Sequence, residues 1–113
     1  AVPVSVSDYM RYVQLITGID FSEEEIAMAV DRIESAIRLF NHRNGLTRKD
    51  DSMPKRILLE PLPEGPGQGK KVTVEGFNDM LDQYYALRGW DKEGVPLPET
   101  LEKYGITIGG GLR

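Results

Sequence analysis

The stretch FSEEEIAMAVDRIESAIRLFNHRNG, Phe21 to Gly45, decides the fold class. Ile26, Val30, Ile33, Ile37 and Phe40 step by four, three, four and three residues, which sets them on one stripe of a helix with Ala29 and Ala36 along its edge. Ser22 and Glu25 have the spacing of a capping box, and Glu23 to Glu25 put negative charge at the positive end of the helix dipole. Arg38 to Arg43 lie near the opposite end, and Gly45 is suited to the position just past it. Glu34 and Arg38 form an i,i+4 pair worth about 0.2–0.5 kcal/mol if exposed. Met28 and Leu39 point nearly opposite the stripe, which reads either as an outer helix face that something further covers or as two stray surface apolar residues.

Working outward, Tyr9, Val13 and Ile16 continue the helical period on the N-terminal side, with Ser5 and Asp8 as a second capping box and Gly18 as a stop. On the other side, LLEPLPEGPGQGKK alternates proline and glycine and reads as a surface loop. A third helix is expected from about Val74 to Leu87, closed by Gly89, with Val74, Phe77, Met80, Leu81, Tyr84 and Tyr85 on a broad apolar face. Pro98 opens a short helix, PETLEKYG, that Gly105 closes. No segment alternates with period two, and RILLE is too short to build a sheet. The expected fold is all-α: a small bundle of three main helices plus a short C-terminal helix, with one long Pro/Gly-rich loop, all in a single domain over 1–113. The terminal GGGLR reads as frayed or as a vector remnant.

Composition excludes several classes. The 113 residues contain no cysteine, so a disulfide framework, a thiolate metal site and a thiol nucleophile are all absent. A net charge of -4 gives no general attraction to nucleic acid or anionic membrane, and no apolar run is long enough to span a bilayer. Charge is unevenly placed. Six basic and two acidic residues between Arg38 and Arg56 leave that segment at +4 and the remainder at -8. No secretory leader pattern opens the chain, which fits a cytoplasmic protein, and the start on Ala1 in place of Met is expected of a processed chain or a piece of a longer one.

No residue here recommends itself as catalytic, cofactor-binding or metal-ligating. EGPGQGKK lacks phosphate-loop spacing: with Gly69-Lys70 as the Gly-Lys pair, Glu64 stands where the first glycine belongs and Lys71 where Ser or Thr should hold magnesium. His42 is the single histidine and is expected to face free carbonyls at a helix end. Asp50 and Asp51 read as local ion-pair or capping residues, and Tyr84, Tyr85 and Trp90 as core and rim aromatics. The residues that remain as interdomain or anion contacts are Arg43, Arg48, Lys49, Lys55 and Arg56 in the basic segment, together with Met28 and Leu39.

Three phrases in order, LFNHRNGLTRKDDSMPKR, EPLPEGPGQG and MLDQYYALRGWDKEGVPLPETLEKYGI, resemble the C-terminal end of tungsten-containing aldehyde:ferredoxin oxidoreductases. The resemblance starts near ITGIDFSEEE and covers nearly the whole chain. It implies a parent enzyme that oxidises aldehydes to carboxylic acids with tungsten, or molybdenum, on two pterin dithiolenes and an iron–sulfur cluster that passes electrons to ferredoxin. It also implies that the cluster cysteines, the pterin-contacting Asp-x-x-Gly-Leu-Cys motifs and the metal-proximal histidine and glutamate lie upstream of Ala1, since none can be matched here. A carboxylate- or acyl-CoA-reducing relative could share this end. Leu97 departs from the family pattern, standing where a capping Thr is expected before Pro98. The expected role is structural: an inactive helical piece that supports or encloses the cofactor-bearing part, its partner being the rest of the parent enzyme. The alternatives are a stand-alone helical adaptor that binds an acidic partner through residues 38–56, and a small-ligand or anion binder.

Overall fold

The computed structural model describes residues 4–107, so GGGLR lies outside the described residues. Within them the chain forms α1 (Val6–Thr17), α2 (Glu23–Arg43), α3 (Lys55–Leu59), α4 (Val74–Arg88) and α5 (Pro98–Lys103), with a 3-10 turn at Arg48–Asp50. The all-α expectation holds; RILLE falls largely in α3, and the extended element among the described residues is a single bridge between Trp90 and Pro96.

The helix ends follow the local chemistry. Ser5 with Asp8 and Ser22 with Glu25 make reciprocal capping boxes, each satisfying two amide donors that a helix start leaves free. At the far end of α2 the Gly45 N–H donates to the His42 carbonyl at 3.0 Å and the Leu46 N–H to the Asn41 carbonyl at 3.0 Å. That pattern requires a left-handed residue, supplied by Gly45 at φ 95°. Thr73 caps α4 through the Gly76 N–H, and Leu97 gives α5 no side-chain cap, as its sequence predicts. The Pro/Gly-rich loop is clasped at its neck, where the Leu62 N–H donates to the Lys70 carbonyl and the Gly69 N–H to the Leu62 carbonyl, both at 2.9 Å.

The core lies where α2, α4, α5 and the 89–97 connection converge. Tyr85, Trp90, Leu101 and Tyr104 are its buried apolar residues, and Ser35, Arg38 and Thr100 are buried with them. Ser35 is fully covered, and its small side chain lets the Trp90 indole approach, with Nε1–H donating to Ser35 Oγ at 3.2 Å. Tyr84 sits at the rim, edge-on to Trp90 at 5.8 Å between ring centroids.

α2 is packed the opposite way round from its sequence pattern. At 100° per residue the Ile33, Ile37 and Phe40 stripe lies across the helix from Ser35, and Ser35 and Arg38 are the buried residues of α2 while Val30, Ile33, Ile37 and Phe40 are exposed. Met28 and Leu39 share the Ser35 side: Leu39 is half-buried and Met28 exposed, so the outer face is the stripe and not theirs. The reason is polar. A buried guanidinium must meet its counter-charge, and Arg38 finds Asp51 and not Glu34, which corrects the expected i,i+4 pair.

Candidate functional site: a closed polar cluster and an uncovered apolar stripe

Arg38 is the hub of the one elaborate polar arrangement among the described residues. Its Nη1 and Nη2 donate to Asp51 Oδ1 and Oδ2 at 2.9 and 2.5 Å, a bidentate pair, and its Nε donates to the Gly94 carbonyl at 2.7 Å. The Tyr85 hydroxyl also donates to Asp51, and the Arg38 guanidinium lies 5.5 Å from the Tyr85 ring centre and 5.4 Å from that of Trp90. Four segments are tied together: α2, the turn after the 3-10 helix, α4 and the 91–94 turn. Asp91 holds that turn by accepting from the Glu93 and Val95 amides, each at 2.9 Å.

This geometry sets the protonation states. Burial pushes the Asp51 carboxyl up, but the hydrogen bonds from Arg38 and Tyr85 and the charges of Arg38 and Arg48 outweigh it, leaving Asp51 below the ordinary carboxylate range. Burial, the hydrogen bond to Asp51 and its negative charge push the Tyr85 phenol up to about 12. Tyr85 therefore contributes stability that is whole below pH about 10, the unfolded phenol value, and is lost as pH rises towards 12. Asp51 contributes stability that is whole above the unfolded carboxylate value and is lost as pH falls through its lowered folded value. Urea unfolding followed by circular dichroism between pH 9 and pH 11.5 should show the wild type losing on the order of 2 kcal/mol more than Tyr85→Phe, which cannot ionise there.

The sequence-chosen contacts divide. Arg48 is engaged inside the fold: its Nη1 donates to Asp82 Oδ1 and to the Lys92 carbonyl, both at 2.6 Å, and its guanidinium lies 5.3 Å from the Tyr85 ring centre. Arg43, Lys49, Lys55 and Arg56 are exposed, and Arg56 pairs with Glu60 at 3.4 Å. His42 is exposed at the α2 end, its Nδ1 3.2 Å from the Leu46 carbonyl. Arg48→Ala should therefore destabilise the chain by about 1–2 kcal/mol, whereas Arg43→Ala and Lys49→Ala should stay within about 0.5 kcal/mol of wild type in urea unfolding.

A groove of about 600 Å³ runs between α3 and the clasped loop, with Ile57, Leu62 and Val72 on its wall and Arg56, Lys70 and Lys71 at its rim. Its cations lie in water and no buried polar side chain points into it, so it has none of the convergent polar groups that orient a ligand. Among the described residues no three His, Cys, Asp or Glu side chains could hold a metal ion, and the chain has no cysteine for an iron–sulfur cluster. No helix among the described residues is long and apolar enough to cross a membrane.

Residues 1–106 match the family described as aldehyde ferredoxin oxidoreductase, domains 2 and 3. The chain belongs to the aldehyde ferredoxin oxidoreductase family. It is 41% identical over 104 residues to the tungsten-containing aldehyde ferredoxin oxidoreductase of Pyrococcus furiosus (strain ATCC 43587 / DSM 3638 / JCM 8422 / Vc1), covering 91% of this chain and 17% of that protein. Identity is likewise 41% over 104 residues to the enzyme of the same name from Thermococcus kodakarensis (strain ATCC BAA-918 / JCM 12380 / KOD1), with the same coverage. Among solved structures it is similar to the active-site complex BamBC of benzoyl-coenzyme A reductase bound to 1,5-dienoyl-CoA, at 28% identity and a TM-score of 0.68, over 91% of this chain and 14% of that one. The chain spans about a sixth of the length of the aldehyde ferredoxin oxidoreductases it matches. Tungsten is part of those relatives' names.

Sequence reasoning missed Tyr85 and Gly94 as partners of Arg38, and Ser35 as the partner of Trp90. One signal could have found them. An arginine on the face opposite an apolar stripe, with a serine three residues earlier and two aromatics and a DKEG turn downstream, has the ingredients of a buried ion pair and its cover.

Proposed function

We propose that this chain is the C-terminal helical domain, a single unit over 1–113, of a larger enzyme that oxidises aldehydes to carboxylic acids and passes the electrons to ferredoxin. Tungsten, or molybdenum, on paired pterins and an iron–sulfur cluster would be held by the preceding part of the polypeptide. The present piece supports or encloses that part and has no turnover alone. The observation that carries this reading is the family match over residues 1–106 together with 41% identity to the aldehyde enzymes, and a polar chemistry closed on itself supports the structural role. Arg38, Asp51, Tyr85 and Arg48 all find partners within the fold. The parent is expected in the cytoplasm.

A second reading, in which the parent reduces an acyl-coenzyme A, draws on the benzoyl-coenzyme A reductase likeness. Identity of 41% to the aldehyde enzymes against 28% to that structure favours the first. An adaptor that grips an acidic partner through residues 38–56 is disfavoured because Arg38 and Arg48 are already paired with Asp51 and Asp82.

The test is metal content and turnover of the 113-residue chain beside the full-length polypeptide from the same reading frame. The full-length protein should carry tungsten or molybdenum and iron and should oxidise aldehydes with a viologen acceptor, and the short chain should do neither. Stoichiometric tungsten or iron on the short chain, or an upstream sequence with no Cys-x-x-Cys-x-x-x-Cys cluster, would overturn the reading. Acyl-coenzyme A reduction by the full-length protein, without aldehyde oxidation, would select the second one.

A further inference from the structure

We infer that the apolar stripe of α2, joined by the exposed face of α1, is the surface by which this piece docks onto the preceding part of its own polypeptide. The inference rests on the reading above and moves the docking surface away from both the basic segment and the Met28–Leu39 side.

Three observations carry it. Val30, Ile33, Ile37 and Phe40 are between 46% and 63% exposed on the α2 face opposite the packed Ser35 and Arg38. A helix with caps at both ends and a sustained apolar stripe normally turns that stripe to a core. Here no described element covers it, and α1, the neighbouring helix, leaves its own Tyr9, Tyr12 and Ile16 exposed at 61%, 57% and 84%.

The whole surface tells the same story in area. The chain exposes 9087 Å², whereas a compact monomer of this mass exposes about 6,200 Å². Its radius of gyration is 18.4 Å, against about 13 Å for a compact domain of this length. The excess, about 3,000 Å² on this side alone, is more than the roughly 1,000–2,500 Å² per partner that obligate interfaces remove from water, so the long loop contributes to it beside the helix faces.

The occupant follows from length and charge. The relatives this chain matches are about six times longer, so a family member of their length places several hundred residues beside this piece. The stripe positions themselves, Ile26, Val30, Ile33, Ile37 and Phe40, carry no charge, which suits a covalently tethered neighbour of matching apolar character.

Hydroxyl-radical footprinting of the full-length polypeptide reads the side chains directly. Modification rates at Ile33, Ile37 and Phe40 are compared with the rates of the same residues after unfolding in urea. Docking predicts protection of about tenfold or more at all three, as in a packed interior. Rates within about twofold of the unfolded protein, in a full-length protein that contains its metals, would overturn the docking surface and leave the proposed function standing. Protection that disappears on dilution, in step with dissociation of a dimer in sedimentation velocity, would identify a second copy as the occupant and overturn the inference. A reading frame that begins at residue 1 would overturn this inference and the proposed function together.

Discussion

Replacing Asp51 with Ala lowers the unfolding free energy by about 3 kcal/mol, a loss read as an earlier midpoint in urea with little change in slope. The magnitude follows from what is left behind. Arg38 is 9% exposed and loses both carboxylate oxygens, while Tyr85, at 2%, loses the acceptor of its hydroxyl. Removing one partner of a buried pair costs more than the pair itself contributes, because the remaining charge keeps its desolvation penalty. Asp51 is 25% exposed at its side chain, so water can partly re-solvate the site, which places the effect at the lower end of the usual range. Exchanging both partners for apolar residues, Arg38→Met with Asp51→Leu, should recover most of the loss, as buried pairs often contribute little net stability. A double variant as unstable as Asp51→Ala alone would show that the cluster acts through more than its charges.

Gly94→Ala is the second large effect, about 2–4 kcal/mol, and its cause is space as well as backbone. Gly94 has φ 76°, a left-handed conformation that costs an L side chain about 1 kcal/mol. A Cβ there would also stand 2.3 Å from Arg38 Nη2 and 2.7 Å from Tyr85 Cζ. The guanidinium can swing only by giving up Asp51 or the Gly94 carbonyl, and the Tyr85 ring is held between its neighbours. Gly45→Ala is the internal control: φ is 95° but nothing lies within 4 Å of the added carbon. Thermal unfolding should separate the two variants clearly, with Gly45→Ala down by only the backbone cost of about 1 kcal/mol. Equal losses at the two positions would deny the steric account.

Helix positions were legible because their signals are local. Ser5, Ser22 and Pro98 announce helix starts, Gly18, Gly45, Gly89 and Gly105 announce stops, and each acts within four residues of its own place in the chain. The orientation of α2 was not legible, since periodicity states which residues share a face and not which face meets the rest of the molecule. Where an apolar stripe faces a core, the two questions have one answer. They part here because the stripe has no covering layer among the described residues, whereas Arg38 has Asp51, thirteen residues on, and Tyr85, forty-seven residues on. The basic segment misled in the same way. Its charge sum was right, but a sum does not say which charges pair: Arg38 is held by Asp51 from within the segment, and Arg48 by Asp82, which a count restricted to that segment cannot register.

Trp90 is the sole tryptophan of the chain, so ultraviolet emission excited on the indole edge comes from a single place. That place is the centre of the fold: the ring is 6% exposed, bonded to Ser35, edge-on to Tyr84 and beside the Arg38 guanidinium. Its colour and lifetime consequently register whether α2, α4 and the 89–97 connection are assembled, and they are blind to α1 and the α2 stripe. The molecule thus carries its own optical gauge of core integrity, read without a label and separately from whatever occupies its apolar face.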